Sequence, residues 1–349
     1  MKSRLAIKRF AWGIVTVLVI VVAILGAVIY KKLYTANIIG VNESDQFLYI
    51  RTNSTFEDVV QTLKSGNLLM NEKSFRWTAH QLKYETRIKP GKYLLKPRMN
   101  NKDLVTLLRS GKQVPVQVTF NNIRTKEQLA KKISEQIEAS QQAILNLMND
   151  ADYTNRMGFT PENIFSMFIP NTYEFYWNTS ADKLLMRMKK ENDKFWTAQR
   201  IILAKKINFT PIQVSVLASI VQMETNKNDE KPVIAGVYIN RFNKDWKLEA
   251  DPTLVFALGD FSINRVLNIY KSIDSPYNTY KYKGLPPGPI CLPTSSSIDA
   301  VLNYSTHRYM YFCAREDFSG YHSFASTYNQ HLINARKFQL ALDKRGIRS

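Results

Sequence analysis

The sequence predicts a mixed α+β protein that follows a single apolar helix at its N-terminus. An uncharged apolar run lies near the start of the chain. Residues 46 to 112 alternate strand-like runs with amphipathic helical stretches, and the remainder begins helical and then becomes rich in Pro, Gly, Asn and Tyr. With 349 residues, 45% of them hydrophobic, the chain is long enough for two or three folded units.

The N-terminal run predicts a transmembrane helix. Residues 11 to 30 carry no charge, and as a helix they span about 30 Å, which is the thickness of the bilayer hydrocarbon. A cleaved signal peptide is the alternative, but the run exceeds the usual ~7–15-residue apolar region, and Lys31 and Lys32 replace a small-residue cleavage site. Residues 1 to 10 contain four cations and no acid, which predicts a cytoplasmic N-terminus, a single pass and an extracytoplasmic body.

Residues 31 to 45 are expected to form a polar tether, and residues 46 to 112 a small α+β module. In this module a strand-like FLYI run precedes a helix with Ser54 as its cap. A second strand around residues 93 to 95 precedes a helix that starts near Asn101 and stops at Gly111.

Residues 116 to 349 are expected to form a mixed α+β domain whose first part, from Thr125 to about Lys206, is helical. The loops of its second half are long, and long ordered loops often carry function. Cys291 and Cys313 lie in a compartment that permits disulfides, but two cysteines do not decide whether they are bridged.

The charge predicts polyanionic partners. Of the formal charge of +19, only four units belong to the ten-residue stub, so the exported body is basic. An exported body rarely meets nucleic acid, so anionic wall polymers and lipid headgroups are the expected partners, with general solubility as the alternative reading of the charge.

The common cofactor motifs are absent. The four histidines form no HExxH, the two cysteines form no CxxC, and the sequence contains no GxSxG, P-loop or GxGxxG. We therefore expect no metal site and no cofactor, and a carboxylate becomes the leading candidate for chemistry.

That carboxylate is Glu224. The sequence predicts a helix from Pro211 with Thr210 as its cap and a glutamine three residues later, which is a capping box. Leu217, Ile220 and Glu224 then share one face, so Glu224 is expected to be partly buried. Burial raises the pKa of a carboxyl and suits a general acid.

The alternative for Glu224 is a structural ion pair with Arg241. Gln222 lies roughly 200° around the helix from Glu224, so the two cannot point into one site. An amide also cannot donate and accept a proton as a carboxyl does.

The later loops offer groups that suit sugar rings. Asp251 precedes a proline and a threonine, where capping a helix is the better interpretation than binding a hydroxyl. The run 277 to 280, YNTY, combines aromatic faces with amide and hydroxyl groups, although core packing explains its tyrosines equally well. Pro286 and Pro287 belong to a stiff loop, GLPPGPI, that could wall a cleft.

Six segments resemble, in order, the YceG-like (MltG) family of membrane-bound endolytic transglycosylases. They are PNTY (170 to 173), LASIVQMET (217 to 225), IAGVYINRF (234 to 242), LEADPTLVFALG (248 to 259), YNTYKYKGLPPGPI (277 to 290) and GYHSFASTYNQH (320 to 331). The resemblance covers nearly the whole chain after the apolar run.

The resemblance implies a LysM-like module at residues 46 to 112 and a YceG-like catalytic domain at residues 116 to 349. It implies cleavage of the β-1,4 bond after N-acetylmuramic acid in nascent peptidoglycan strands, leaving 1,6-anhydro ends and ending glycan elongation. Because the C6 hydroxyl of the sugar is the nucleophile, one carboxyl, Glu224, suffices as acid and base. The implied partners are glycan strands, the cytoplasmic membrane and peptidoglycan synthases.

The resemblance also assigns roles by motif. The implied substrate-binding residues are Asp251, Thr253, Tyr277, Asn278, Thr279, Tyr280, Pro286, Pro287 and His322. The implied supporting residues are Asn240, Arg241, Asn171 and Tyr173. The family commonly has a second glutamate where this chain has Gln222, so the alternative is a catalytically silent, peptidoglycan-binding membrane scaffold.

Overall fold

The computed structural model describes residues 2–39, 46–263 and 266–346, and it confirms the mixed α+β class. The helices are α1 (Lys2–Tyr34), α2 (Phe56–Ser65), α3 (Glu72–Gln81), α4 (Asn101–Ser110), α5 (Lys126–Ser134), α6 (Gln141–Asn149), α7 (Ala151–Arg156), α8 (Ala181–Phe195), α9 (Ala198–Lys206), α10 (Pro211–Glu224), α11 (Lys231–Asn243), α12 (Asp251–Leu258), α13 (Ser295–Leu302) and α14 (Tyr328–Lys344). The strands are β1 (Gln46–Ile50), β2 (Gly91–Leu95), β3 (Pro115–Phe120), β4 (Asn171–Tyr176), β5 (Tyr311–Ala314) and β6 (His322–Ala325), and Ile164–Met167 and Asn268–Ser272 are short 3₁₀ helices.

The strands pair as β1-β2, β3-β4 and β5-β6 in three two-stranded sheets. The chain divides into two compact units. The first comprises the described residues up to Gln117 together with Glu174–Thr179, and the second comprises Val118–Tyr173 and the described residues from Ser180 onward.

In the first unit, α1 contains the apolar segment Lys8–Tyr34, which is long and apolar enough to cross a membrane. The expected tether is wrong where it can be compared. The chain stays helical to Tyr34, and Ala36 and Ile38 then form β-bridges with the module. Ile38 is buried in the core of the module, because its side chain is apolar and the bridge turns it inward. Residues 40 to 45 of the expected tether lie outside the described residues.

The two predicted strands and the two predicted helices of the module, α2 and α4, are confirmed, and an additional helix, α3, lies between α2 and β2. Strands β1 and β2 are antiparallel, with Leu48 opposite Tyr93, and α2, α3 and α4 pack on them around a shared apolar core. Helix α4 ends at Gly111 in the left-handed conformation, with φ of 74°, as its sequence predicts. The predicted cap Ser54 is wrong by one residue, because Thr55 forms the capping box with Asp58.

In the second unit, α10 lies at the centre of the hydrophobic core. Its apolar residues pack with those of α11 and α13, so α10 has buried side chains on nearly every face of its middle turns. Helix α11 passes close to the segment after α13, since a Cβ at Gly236 would lie 2.5 Å from the Ser305 carbonyl oxygen. The β5-β6 hairpin and α14 complete the unit.

Candidate active site

Helix α10 delivers Glu224 to the wall of a cavity. The predicted capping box is confirmed, because the Thr210 hydroxyl accepts from the Gln213 N–H at 3.2 Å and the Gln213 side chain accepts from the Thr210 N–H at 2.8 Å. Glu224 is the last helical residue and, as predicted, is partly buried. The cavity has a volume of about 520 Å³. We call it the Glu224 cavity; it is lined by Arg124, Met223, Glu224, Asp251, Pro252, Val255, Phe256, Phe261, Ile263, Val266 and Ile290.

The surroundings of Glu224 keep its carboxyl close to half-protonated at neutral pH. Burial raises the pKa of Glu224 to about 7, and the negative charge of Asp251 acts in the same direction. The Tyr238 hydroxyl donates to Glu224 Oε1 at 2.5 Å, which lowers this pKa and partly offsets burial, as does the charge of Arg241. The carboxyl is therefore poised both to give and to take a proton near pH 7.

Tyr238 lies on α11 and is fully buried. Burial, followed by the charge of Glu224, raises the pKa of Tyr238 well above its ordinary value, so its hydroxyl stays protonated and acts as a donor. Because Tyr238 occupies Glu224 Oε1, the other carboxylate oxygen is the one free to carry a transferable proton.

Arg241 has other partners than Glu224. Its guanidinium donates to the carbonyl oxygens of Met310 and Leu248, both at 2.7 Å, and forms a salt bridge of 3.3 Å with Glu249. The sequence alternative of a direct Glu224–Arg241 ion pair is therefore wrong. Arg241 instead joins α11 to the segment that follows it and to Met310, the residue before β5.

Asp251 also lines the Glu224 cavity, but it does not cap α12. The cap residue is Ala250, which makes no side-chain capping bond, and Asp251 is the first helical residue. The expected capping role is therefore wrong. Asp251 Oδ1 instead accepts a hydrogen bond from the Tyr280 hydroxyl at 2.5 Å. Burial and this bond both raise the pKa of Tyr280.

Thr253, Asn278 and Thr279 are buried and hold the loop that carries Tyr280. The Thr253 and Thr279 hydroxyls lie 2.8 Å apart, and Thr279 accepts from the Ala250 N–H at 3.0 Å. The Asn278 amide donates to two carbonyl oxygens of its own loop and accepts two N–H groups, including that of Tyr280. Their polar atoms are bonded within the protein, so these three residues shape the site.

Tyr277 packs against Phe256, with ring centroids 4.7 Å apart. Pro286 is buried and Pro287 is exposed, and the lining described above contains neither. Gly288 lies against the chain backbone, since a Cβ there would be 2.0 Å from the Glu162 carbonyl oxygen. The stiff loop therefore places Ile290 on the cavity wall at its end.

The remaining implied residues lie away from the lining. Glu230 accepts from the His322 N–H and contacts His322 Nδ1, both at 2.7 Å. Asn240 donates to two carbonyl oxygens of the segment before β5. On β4, Tyr173 is buried and its hydroxyl donates to the Ile169 carbonyl oxygen, whereas Asn171 is exposed.

Gln222 forms hydrogen bonds with the segment 292 to 297, outside the lining of the Glu224 cavity. Its amide N–H donates to the Leu292 carbonyl oxygen at 3.1 Å, and its amide oxygen accepts from the Thr294 N–H at 2.6 Å and the Ser297 hydroxyl at 3.0 Å. These bonds tie α10 to the start of α13.

Among the residues that the structure describes, no group of His, Cys, Asp and Glu side chains is arranged to hold a metal ion. Cys291 and Cys313 are free, and burial raises the pKa of the Cys291 thiol to about 12. Sequence reasoning missed Tyr238 and Arg124, because each meets the site only through the tertiary fold; Tyr238 lies in the segment IAGVYINRF, but nothing in that segment singles out its hydroxyl.

Comparisons with known proteins find similarity to one family and to proteins of one name. The model of the YceG-like family matches residues 48–337. A Bacillus subtilis protein named endolytic murein transglycosylase is 26% identical over 322 residues, covering 88% of both chains. A Streptococcus pneumoniae protein of the same name is 27% identical over 295 residues and covers 76% of this chain, which spans about half (53%) of that relative.

A solved structure is also similar to this chain. The crystal structure of a putative YceG-like protein from Listeria monocytogenes is 27% identical, covers 84% of this chain and 99% of its own, and superposes with a TM-score of 0.56. With a family match over most of its length and a related structure across both units, this chain belongs to the YceG-like family.

Proposed function

We propose that the protein is an endolytic lytic transglycosylase that cleaves the β-1,4 bond after N-acetylmuramic acid in nascent peptidoglycan, with Glu224 as acid and base. The observation that carries this proposal is the half-buried Glu224 carboxyl on the wall of a 520 Å³ cavity, with a pKa of about 7. Family membership and the names of the relatives support it.

The reaction requires one group that is first an acid and then a base. Protonated Glu224 donates to the glycosidic oxygen while the bond from C1 of the muramic acid to that oxygen breaks. The C6 hydroxyl of the same sugar attacks C1, and the Glu224 carboxylate takes its proton. No water enters, and the product carries a 1,6-anhydro end.

Two features favour this chemistry over hydrolysis by a carboxylate pair. The attack is intramolecular, which lowers its entropic cost. Asp251, the second carboxyl on the cavity wall, accepts a bond from Tyr280 and raises the pKa of Glu224 by its charge. Asp251 therefore maintains the acid form of Glu224 and needs no part in bond making.

We place the active unit on the outer face of the cytoplasmic membrane. The apolar segment Lys8–Tyr34 would be the single-pass anchor, with the basic stub inside. The module from 46 to 112 would be the LysM-like part and bind glycan, and residues 116 to 349 the catalytic domain. Because the proposed substrate is a nascent strand, we expect the protein to act beside the peptidoglycan synthases that make it.

The alternative is a catalytically silent scaffold in which Gln222 replaces the essential carboxylate. The contacts of Gln222 count against it, because this side chain bonds to the segment 292 to 297 and does not line the Glu224 cavity. Glu224, by contrast, has the burial and hydrogen bonding that a general acid needs.

The test is the product profile of the detergent-solubilised full chain on uncrosslinked glycan strands. Mass spectrometry should find anhydromuramyl ends with the parent, and Glu224→Gln should reduce their rate of formation by at least about a hundredfold. Hydrated reducing ends would show a hydrolase instead. Strand binding without any change in strand length would show the scaffold.

A further inference from the structure

Of the described residues that line the Glu224 cavity, Arg124 alone is a cation. Its side chain is half-buried, and its guanidinium carbon lies 4.9 Å from the centroid of the Phe261 ring. The guanidinium forms no salt bridge and no hydrogen bond with any residue that the structure describes. Arg124 is therefore a cation on the wall of the proposed active site that contacts Phe261 and has no ionic partner among the described residues.

A half-buried guanidinium without an ionic partner is stabilised by binding an anionic ligand. It loses part of its hydration on burial and has five N–H donors in a fixed plane that match a carboxylate with two parallel bonds. The cation–π contact with Phe261 holds the guanidinium at the cavity wall, and the ring accepts no conventional hydrogen bond, so the N–H groups remain free to bind. The chemistry of this position therefore fits a carboxylate better than a neutral sugar hydroxyl.

Arg124 lines the same cavity as Glu224 but makes no hydrogen bond or salt bridge with it, and the bond to Glu224 Oε1 comes from Tyr238. The Arg124 guanidinium is therefore available to hold a substituent of the substrate while Glu224 acts on the bond that is broken.

We infer that Arg124 binds a carboxylate carried by a muramic acid residue of the glycan strand and so selects strands that bear this charge. The inference rests on the proposed function, since it takes the strand as the substrate. Two carboxylates have the required chemistry. One is the lactyl group of the sugar once its peptide has been removed, and the other belongs to the peptide stem itself.

The test compares three uncrosslinked strands with the full chain. The first strand bears peptide stems with free carboxylates, the second is the same strand with its carboxylates converted to amides, and the third has no peptide and keeps only the lactyl carboxylate. The parent should cleave a carboxylate strand with a kcat/KM about tenfold to a hundredfold above that for the amidated strand.

Arg124→Gln should remove this preference. Its kcat/KM should fall by the same factor on the carboxylate strand and stay at the parental value on the amidated strand. A loss confined to the stem-bearing strand assigns the stem carboxylate, and a loss confined to the peptide-free strand assigns the lactyl group. Arg124→Lys should recover part of the preference, because it keeps the charge without the planar pair of donors.

Arg345→Gln is the matched control, because the Arg345 guanidinium carbon also lies over an aromatic ring, 3.7 Å from the Phe318 centroid, and Arg345 does not line the Glu224 cavity. This variant should keep the parental preference. The inference is overturned if Arg124→Gln lowers kcat/KM equally on charged and amidated strands, or leaves both unchanged.

Failure of the proposed function would be visible separately. If the parent forms no anhydro ends on any strand, the proposed reaction is wrong. Equilibrium binding of the same strands to Glu224→Gln then decides the role of Arg124. The inference stands if Glu224→Gln binds charged strands more tightly than amidated ones and the added Arg124→Gln change removes that difference, and it falls if the difference persists.

Discussion

At the scale of single residues, the site depends on the balance around one carboxyl. Burial raises the pKa of Glu224, and the hydroxyl of Tyr238 limits that rise by donating to Oε1. Without burial the acid would be ionised at neutral pH, and without the tyrosine it would be harder to ionise again for the second proton transfer. Both steps of the proposed reaction therefore need this balance.

The burial of Glu224 should be measurable as a pH-dependent loss of stability. Its folded pKa of about 7 lies above the unfolded value, so its stabilising contribution is full below about pH 4 and is lost as the pH rises through 7. Glu224→Gln removes this loss, so its free energy of unfolding should match the parent near pH 4 and exceed it by about 3 kcal/mol at pH 8. Thermal unfolding of the detergent-solubilised chain across this range is the measurement. Parallel stability curves for parent and variant would contradict it.

Tyr238→Phe should move the pH profile of the reaction. The lost bond favours the ionised form of Glu224, so its removal raises the pKa, and the loss of rate at high pH should shift further upward. The value of kcat should also fall about tenfold, because the carboxyl loses the donor that orients it. Tyr93→Phe, which removes a buried hydroxyl of the small module, is the control. An unchanged basic limb in Tyr238→Phe would rule out this role.

At the scale of elements, the last turn of α10 has two functions. Its last turn presents Glu224 to the cavity and uses Gln222 to bind the start of α13. The local sequence predicts the start of this helix, because a capping box depends only on neighbouring residues. It does not predict the partners at the other end, because Tyr238 and the segment 292 to 297 arrive through tertiary packing.

Gln222→Glu should destabilise the protein without adding activity. An ionised carboxylate cannot donate to the Leu292 carbonyl oxygen, so the variant should lose about 1–3 kcal/mol of stability at neutral pH. Thermal unfolding and the anhydro-end assay test the two parts. Gln142→Glu, on an exposed face of α6, is the control. A gain of activity from an inert parent would instead identify a silenced relative.

At the scale of the whole molecule, composition and periodicity are enough to predict the α+β class, the apolar helix, and the strands and helices of the small module apart from α3. They misplace the tether, because the bridges of the short segment 36 to 39 depend on partners some 30 and 60 residues away. The capping interpretation of Asp251 is wrong for the same reason. Its neighbours in sequence favour a cap, whereas its partner in space is Tyr280.

The continuity of α1 with the module gives a final prediction. The N–H groups of Asn37 and Ile38 donate to the Met99 carbonyl oxygen, and that of Ile39 donates to the Leu68 carbonyl oxygen, all at 3.0 Å. Hydrogen exchange at residues 37 to 39 of the full chain should therefore be about a hundredfold or more slower than in an unstructured peptide.

Asn101→Ala should speed that exchange, because the Asn101 side chain joins α1 to the module. It donates to the Lys32 carbonyl oxygen at 2.8 Å and accepts from the buried Asn37 amide at 2.6 Å. Asn146→Ala, at an exposed position of α6, should leave the exchange unchanged. Peptide-like exchange at residues 37 to 39 in the parent would show a free tether. Slow exchange would mean that α1 and the module move as one body, so that a membrane crossed by α1 would fix the height of the module directly.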